Sequence, residues 1–321
     1  MEYSIKNMFA ETLTGDVYVK AFAQGVEMEQ RELRPLVSVL MASYNHEKFV
    51  EAAVRSAMAQ DGVAFELIVV DDGSTDSSPE ILEKLSRELH FQYVHRPNKG
   101  LVPTMNELLS MAKGKYFCSL ASDDVMPAGR LKSQSEYLEA HPDKPICFGQ
   151  IINMNADGVL DDGPDPRYMT GYPQVTFEEI FLGKKELHGC SEMINCEVFR
   201  NLGGYNSDFV IEDFQMMLLF LSKYSPLPVL KTVCCHYRHH GTNISRERSW
   251  LYENTLKVLD LYREHPLYRK ACNAWRSHWF SSLAYDNKRE AFRRLPELAS
   301  FSWSFLKRFP KLFIPKFLLK R

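Results

Sequence analysis

The stretch Val69-Val70-Asp71-Asp72-Gly73-Ser74-Thr75-Asp76 places several carboxylates directly after an apolar run that is typical of a buried strand. A second group, Ser122-Asp123-Asp124, follows another such run at 116–121. Ligands of open α/β sheets bind outside the carboxyl ends of the strands, so we expect both groups to face one crevice. Paired carboxylates there would repel a diphosphate unless a hard divalent cation, Mg²⁺ or Mn²⁺, lay between them. The sequence therefore predicts a metal-assisted site for a nucleoside diphosphate.

The composition is that of an ordinary globular protein. The chain has 321 residues, enough for one large domain or two modest ones, and a formal net charge of −2. Its basic residues are scattered, so we expect no nucleic-acid partner. The N-terminus lacks the basic start and apolar centre of a signal peptide. No apolar run approaches the roughly 20 residues of a membrane-spanning helix.

The seven cysteines show no spacing typical of a metal site. Several of them lie in apolar runs, where cysteine behaves as a small buried hydrophobic residue. We interpret them as reduced core thiols rather than as disulfides or zinc ligands, which is typical of a cytosolic protein.

Strand and helix patterns alternate from Pro35 onwards, which predicts a mostly parallel sheet with helices on both faces. After Pro145 the alternation ends, and from Trp250 the chain has a largely helical pattern to its end. The predicted strands cover 37–42, 65–70, 91–95, 115–121 and 146–154, and the predicted helices cover 47–59, 78–89, 103–113, 129–140, 177–182, 197–202 and 212–223.

A series of short motifs carries a resemblance to a known family. The motifs are Ala42-Ser43-Tyr44-Asn45, the stretch 70–76, Asn98-Lys99-Gly100 with Asn106, Ser122-Asp123-Asp124, Gly203-Gly204-Tyr205 with Glu212-Asp213, and the block from Tyr237 to Ser245. Through them, residues 35–245 resemble an inverting family 2 glycosyltransferase of the GT-A fold, of the type that acts in bacterial surface-polysaccharide synthesis. The resemblance implies an α/β, Rossmann-like, mostly parallel sheet flanked by helices, with a helical C-terminal extension.

The pattern along the chain, together with the resemblance over 35–245, predicts a domain organisation. Residues 1–34 form an N-terminal arm, 35–248 the GT-A domain and 249–321 a helical C-terminal region with a basic aromatic tail. Within the GT-A domain, 35–145 is the nucleotide-binding half and 146–248 the acceptor half.

Nucleotide binding is implied for residues at and after the strand ends. An Asp side chain in such a place can accept hydrogen bonds from a uracil or thymine imide or from ribose hydroxyls. The alternative is that the Gly-Ser-Thr-Asp turn serves to cap the following helix, and both roles are compatible. The implied nucleotide-binding residues are Ala42, Tyr44, Asn45, Asp71, Asp72, Lys99, Asn106 and Asp123.

The resemblance implies that Asp124 binds the metal directly. His240 is a candidate for a further metal ligand or for a diphosphate contact, since neutral imidazole is compatible with Mn²⁺. A cation bridging the phosphates would stabilise the charge of the departing nucleoside diphosphate, and the expected cofactor is Mn²⁺ or Mg²⁺. Ser122 occupies the first slot of the family's Asp-x-Asp pattern. Two alternatives remain open: the Asp pair caps the next segment, and His240 is structural. Arg238 and Lys99 are candidates for phosphate contact or solvated surface charges.

Inversion at an anomeric carbon requires a base that takes the acceptor's proton opposite the leaving group. The resemblance assigns this role to Asp213, with Glu212 as a positioning residue. The alternative is a simple acidic pair at a helix N-terminus, where the macrodipole stabilises negative charge. The segment 187–193 is expected near the base, where it shapes the sugar pocket or forms core.

The C-terminal segment 301–321 alternates aromatic and basic residues and contains no acid. Such a segment is suited to the interface of an anionic membrane. A helix packed back on the domain, interrupted at Pro310 and Pro315, or a dimer contact is the alternative. We expect a nucleoside-diphosphate sugar donor, a glycan or lipid-linked acceptor, and a cytoplasmic protein lying peripherally on the inner face of the cell membrane.

Other functions fit the sequence less well. A sugar-nucleotide pyrophosphorylase or a Rossmann dehydrogenase needs a glycine-rich turn after the first strand, where this chain has 42–47 without glycine. A binding or scaffold protein that has lost catalysis on the same fold stays as the alternative.

Overall fold

The structure, a computed structural model of the chain, describes residues 35–167, 173–241, 248–300 and 302–314. The predicted arm at 1–34 lies outside the described residues, as do residues 242–245 of the last motif block and residues 301 and 315–321 of the tail.

A nine-stranded sheet forms the centre of the molecule. Strand β1 (Val37–Ser43) lies between β2 (Phe65–Asp71) and β4 (Tyr116–Ser119), and β3 (Gln92–His95) pairs with β2. All of these pairings are parallel. The predicted parallel arrangement is thereby confirmed, and the carboxyl ends of β1, β2 and β4 meet at one edge.

The second half of the sheet is mixed. Strand β8 (Met193–Asn195) pairs antiparallel with β4 and with β5 (Ile146–Asn155), and β5 pairs parallel with the long β9 (Leu227–His239). The short β6 (Leu160–Pro164) lies beside β5, and β7 (Gln174–Val175) lies beside β9.

Helices cover the sheet, as predicted. The helices of this part are α1 (Val50–Met58), α2 (Ser78–Leu89), α3 (Leu101–Met111), α4 (Arg130–Ala140), α5 (Phe177–Phe181), α6 (Cys196–Asn201) and α7 (Glu212–Tyr224). The first four follow β1 to β4 in turn. Local sequence starts two of the helices: α2 has a Pro in its first turn, and α5 begins with a capping box formed by Thr176 and Glu179.

Successive residues of the central strands face opposite sides of the sheet and build two cores. Leu40, Ile68 and Phe117 belong to the core shared with α3, α6 and α7. Val39 and Val69 belong to the core shared with α1, α2 and α4. Burial on both faces explains why these strands have continuous apolar runs in the sequence.

Strand β9 was not predicted, and its pairing explains why. Its register with β5 shifts twice between Phe148 and Ile151, so the simple alternation of buried and exposed residues is broken. The strand nevertheless positions the site, because His236 forms a bridge with Val125 in the loop after β4. The two backbone hydrogen bonds of this bridge measure 2.9 and 3.2 Å. The loop that carries Asp123 and Asp124 is therefore fixed beside the end of β9.

The C-terminal region is helical, as predicted. Trp275 anchors it to the α/β part, since its indole N–H donates to the Phe181 carbonyl at 3.0 Å and its ring packs edge-on against Phe214. None of the helices in the described ranges combines the length and the apolar character needed to cross a membrane. These helices are α8 (Arg248–Leu259), α9 (Tyr268–Asp286), α10 (Lys288–Arg293), α11 (Leu295–Leu298) and α12 (Trp303–Arg308).

Replacing Gly149 by Ala should destabilise the protein, because β5 and β9 approach most closely there. A Cβ at this position would overlap Cys234 Sγ and lie 2.6 Å from the Thr232 carbonyl oxygen. We expect a loss of about 1–3 kcal/mol in the free energy of unfolding, the usual range for overpacking. Urea unfolding measures it, with Gly241→Ala as the control, since none of the described residues has an atom within 4 Å of a Cβ at Gly241. Equal stability of the two variants would contradict the packing argument.

Candidate active site

The carboxylate of Asp71 holds the turn after β2 in place. One of its oxygens accepts the Ser74 backbone N–H at 2.9 Å and lies 2.9 Å from His95 Nδ1. The other oxygen accepts the Ser74 hydroxyl at 2.6 Å. Because the Asp71 side chain is completely buried, its first task is to shape the turn.

The carboxylate of Asp72 ties the same turn to the start of α3. It accepts the backbone N–H groups of Lys99 at 2.8 Å and Gly100 at 2.9 Å, and it forms an ion pair with Arg96. The Lys99 side chain points elsewhere and lies 3.6 Å from Glu107. Asp72 keeps a small exposed surface of 5%, and its oxygens retain acceptor capacity beyond the bonds described.

The segment after β1 packs on the turn after β2. Asn45 has a left-handed backbone (φ 54°), its N–H donates to the Ser74 hydroxyl at 2.8 Å, and its side-chain oxygen accepts the Thr75 N–H at 2.8 Å. Tyr44 is 47% exposed beside it. Asn45 therefore positions the turn, and Tyr44 offers a free aromatic surface at the strand ends.

Ala42 and Asn106 are less exposed to solvent than Tyr44. Ala42 lies at the end of β1, paired in register with Val70 of β2. Asn106 is committed to the Gly-Gly-Tyr motif, because its amide donates to the Tyr205 carbonyl at 2.7 Å and accepts the Tyr205 N–H at 3.0 Å. Asn106 joins the two halves of the domain, and a direct nucleotide contact by its side chain would require one of these bonds to break.

His46, Asp123 and His240 converge beside this turn. His240 Nε2 lies 2.8 Å from Asp123 Oδ2, and His46 Nε2 lies 3.9 Å from the same oxygen. The other ring nitrogen of His46 lies 2.8 Å from the Ser122 hydroxyl. The three candidate ligand atoms lie within 4.8 Å of one another.

Asp124 is not part of that cluster, although it is the residue predicted to bind the metal together with His240. Its side chain is 1% exposed; one oxygen accepts the Arg238 backbone N–H at 2.7 Å and the other lies 3.4 Å from Cys235 Sγ. Arg238 is likewise occupied, since its Nε donates to the Asp123 carbonyl at 2.7 Å and its guanidinium covers the Phe49 ring. The two Asp residues thus point in different directions, and Arg238 fixes both.

Glu212 and Asp213 form the first turn of α7, as predicted. Burial and the neighbouring charge of Asp213 raise the pKa of Glu212 well above its usual range. Asp213 packs on the backbone of Gly189: a Cβ added there would lie 2.7 Å from Asp213 Cβ and 2.8 Å from its Oδ2. The prediction that 187–193 lies near Asp213 is confirmed by this contact.

His188 links the Asp124 region to Asp213. Burial alone would lower its pKa, but the thiolate of Cys190 and the charges of Asp124 and Asp213 raise the pKa of His188 to about 9. Its Nδ1 lies 2.8 Å from Cys190 Sγ. The charge of Asp124, in the loop after β4, and the charge of Asp213, at the start of α7, therefore both raise the pKa of the same imidazole.

The donor set at the candidate metal position fits a transition-metal ion. Two imidazoles and one carboxylate, supplied by His46, His240 and Asp123, suit Mn²⁺ or a similar first-row ion better than Mg²⁺, which prefers oxygen ligands and water. His46 Nδ1 lies 2.8 Å from the Ser122 hydroxyl. With Nδ1–H donating to that hydroxyl, the lone pair of Nε2, which lies 3.9 Å from Asp123 Oδ2, is available to a metal ion, as an outer partner arranges for a ligating histidine.

The sequence analysis missed His46 as a site residue and did not single out Cys190 or Cys235. The available signal for His46 was its position immediately after Tyr44-Asn45, at the end of β1 and therefore at the same edge as the two carboxylate groups. No sequence signal existed for the cysteines, since they meet only through the fold.

Comparisons with known proteins identify the family of the chain. The family model of glycosyl transferase family 2 matches residues 38–203. An uncharacterized glycosyltransferase of Rickettsia typhi is 27% identical over 198 residues, which cover 60% of this chain and 61% of that protein. The putative teichuronic acid biosynthesis glycosyltransferase TuaG of Bacillus subtilis is 37% identical over 108 residues, which cover 33% of this chain and 42% of TuaG.

Solved structures show the same fold. TarS residues 1–349 of S. aureus, in complex with UDP-GlcNAc, align with a TM-score of 0.62 and 19% identity over 86% of this chain and 80% of that one. The mannosyltransferase PcManGT of Pyrobaculum calidifontis, in complex with GDP-Man and Mn²⁺, aligns with a TM-score of 0.59 and 17% identity over 89% of this chain and 88% of that one. The chain spans 61% and 55% of the length of two Rickettsia relatives that it matches. The match over 38–203 covers more than half of the chain, and the chain belongs to glycosyl transferase family 2.

Proposed function

We propose that the protein is a metal-dependent inverting glycosyltransferase that moves a sugar from a UDP- or dTDP-type donor to a hydroxyl of a growing glycan or lipid-linked saccharide. The observation that carries this proposal is the convergence of His46, Asp123 and His240 at the strand ends that also hold the Asp71-Asp72 turn. The name of TuaG, a putative teichuronic acid biosynthesis glycosyltransferase, supports a role in polysaccharide synthesis, and the complex of TarS with UDP-GlcNAc supports a UDP-type donor.

We propose Asp123, His240 and His46 as the residues that hold the cation, in place of the pair Asp124 and His240. Asp123 has an oxygen within reach of both imidazoles, whereas both oxygens of Asp124 face Arg238 and Cys235. A divalent cation bound there supplies charge neutralisation for the leaving diphosphate. Of the two expected ions, Mn²⁺ is the better candidate, because Mg²⁺ prefers oxygen ligands and water and two of the three ligands here are imidazoles.

The nucleoside is proposed to lie on the turn after β2. Tyr44 offers an exposed ring for contact with the base. Of the two Asp residues, Asp72 is the better candidate for direct contact, since Asp71 is completely buried whereas Asp72 keeps exposed surface and acceptor capacity. Asn45 and Asn106 act in this proposal by positioning the turn and the Gly-Gly-Tyr loop.

Asp213 is proposed as the general base, with Glu212 as its partner. Burial and the neighbouring charge of Asp213 raise the pKa of Glu212 to about 8, which favours the protonated form of the Glu212 carboxyl beside the proposed base. Asp213 Oδ2 is directed at Gly189, on the side of the segment 187–193. General-base catalysis of this kind contributes about 10²–10⁴-fold in rate.

A binding and turnover screen tests the proposal. UDP-, dTDP- and GDP-sugars are offered with Mn²⁺, Mg²⁺ or EDTA, and binding and donor hydrolysis are measured. We expect Mn²⁺-dependent binding of one donor type. Asp123→Asn and His240→Gln should weaken it by more than the 10–100-fold typical of losing an outer metal partner, whereas Asp124→Asn should retain it because Asn still accepts the Arg238 N–H.

The base assignment has its own control in the same screen. Asp213→Asn should bind donor normally and lose about 10²–10⁴-fold in turnover. Asp208→Asn, which changes an exposed acid in the loop before α7, should behave like the wild type. Metal-independent binding would support the alternative, an inactive nucleotide-sugar-binding protein. Loss of Mn²⁺ dependence in Asp124→Asn but not in Asp123→Asn would restore Asp124 as the ligand.

Replacing Gly189 by Ala should impair turnover without impairing donor binding. The new methyl group would displace the Asp213 carboxylate, and a displacement of this size costs about 100-fold in rate when a catalytic group is involved. Steady-state kinetics measures kcat, and nucleotide titration measures donor affinity as the internal control. Unchanged kcat would show that Asp213 is not the base.

We also propose that the C-terminal region contacts an anionic membrane from the cytoplasmic side. Phe292 is 66% exposed, and Trp303 and Phe313 are each 70% exposed. Basic side chains lie among them: Lys288 and Arg289 line a surface hollow with Phe313, and Lys307 lies 5.2 Å from the centre of the Trp303 ring. Exposed aromatics surrounded by cations suit the headgroup region of an anionic bilayer.

Liposome co-sedimentation tests the membrane proposal. We expect the full chain to bind phosphatidylserine-containing vesicles, and Trp303→Ser with Phe313→Ser to reduce binding at least tenfold, because about 1–3 kcal/mol per large side chain is lost. Val159→Ser is the control, since Val159 is 64% exposed outside this region. Deletion of 301–321 with no loss of binding would overturn the proposal.

A further inference from the structure

Behind the candidate metal position lies a second cluster of ligand-type side chains. Asp124, Cys190 and Cys235 bring a carboxylate oxygen and two sulfur atoms within 4.8 Å of one another. They are 1%, 9% and 0% exposed, respectively. The set contains two thiols, whereas the cluster around Asp123 contains none.

The three residues come from three separate parts of the fold. Asp124 lies in the loop after β4, Cys190 in the 3₁₀ turn Gly189–Ser191, and Cys235 on β9. Each part is held independently of the cluster, since Arg238 fixes Asp124 at 2.7 Å and His236 bridges to Val125. The convergence is therefore built by the fold and does not rest on a flexible loop.

A fourth donor of the appropriate type is adjacent. His188 Nδ1 lies 2.8 Å from Cys190 Sγ. His188 is only half-buried and precedes Gly189, which has no side chain. His188 therefore lies on the partly exposed side of a cluster whose other three residues are buried.

The cluster is rich in groups that carry negative charge when they ionise. The Asp124 carboxylate accepts a backbone N–H and a thiol, and His188, beside Cys190, is the neighbouring group that can carry positive charge. Buried charges need such compensation. A divalent ion bound by two thiolates and this carboxylate would supply it directly.

We infer that Asp124, Cys190, Cys235 and His188 form a binding site for a thiophilic divalent cation of the zinc class, separate from the candidate Mn²⁺ position at Asp123. Two sulfurs, one imidazole nitrogen and one carboxylate oxygen match the ligands and the number that Zn²⁺ takes in tetrahedral sites. Hard ions such as Mg²⁺ avoid thiolates, so the two clusters select different metals. Binding would release the thiol protons and join β9 to the 3₁₀ turn and the loop after β4.

Cobalt titration of the reduced, chelator-treated full chain tests the inference. Co²⁺ bound by thiolates produces a sulfur-to-cobalt absorption band, and Zn²⁺ should displace it at one equivalent. Cys190→Ser and Cys235→Ser should abolish the band. Cys234→Ser is the matched control, because the Cys234 thiol faces the Thr232 carbonyl instead. His188→Gln should weaken Zn²⁺ binding by at least about 10- to 100-fold.

A second measurement uses only the wild type, so its result does not depend on whether the variants fold. X-ray absorption at the zinc edge should show two sulfur neighbours at about 2.3 Å and lighter neighbours at about 2.0–2.2 Å. Only light-atom neighbours, a band that persists in Cys190→Ser, or no binding to the folded reduced chain would each overturn the inference. Asp123→Asn should keep the cobalt band, so failure of the proposed glycosyltransferase function is distinguishable from failure of this site.

Discussion

The side chain and backbone of Arg238 are the constraint on which the candidate site depends. Its backbone N–H holds the Asp124 carboxylate, its guanidinium holds the Asp123 carbonyl, and the same guanidinium covers Phe49 in the segment between β1 and α1. Arg238 lies near the end of β9, in the second half of the sheet. It therefore fixes two adjacent acids in the loop after β4, which belongs to the first half. Because Asp124 is held inwards, Asp123 is the acid that faces His46 and His240. Which of the two carboxylates faces the histidines is therefore decided by the contacts of Arg238, because the two aspartates are chemically alike.

Much of the first half of the fold could be predicted from the sequence, because local pattern and tertiary environment agree there. Strands β1, β2 and β4 are buried on both faces and are continuous apolar runs, and the acids that follow them meet at one edge as parallel strands require. The start of α7 at Glu212 also follows from its amphipathic spacing. The motif order was sufficient to identify the family that the match over 38–203 shows.

The rest depends on contacts between distant segments. Strand β9 was missed because register shifts against β5 remove its alternation. The roles of Asp123 and Asp124 could not be separated in sequence, since adjacent residues at a strand end are distinguished only by what packs around them. His46 was missed because its partner Asp123 is supplied by another strand end. The cysteines at 190 and 235 lack any spacing pattern, as their proximity arises from a 3₁₀ turn and a strand that pack together only in the folded protein.

The bridge between Val125 and His236 bears on when, during synthesis, the candidate site can form. A ribosome delivers the chain from its N-terminus, and domains fold as their segments emerge. The turn after β2 draws its partners from residues 45–100, all of which emerge early. The cluster of His46, Asp123 and His240 forms only after β9 has been synthesised, because Arg238 and His240 are translated more than a hundred residues later. A nascent chain that has reached α7 thus contains the turn proposed to bind the nucleoside but lacks Arg238 and His240, and the candidate site is complete only after β9 has been translated.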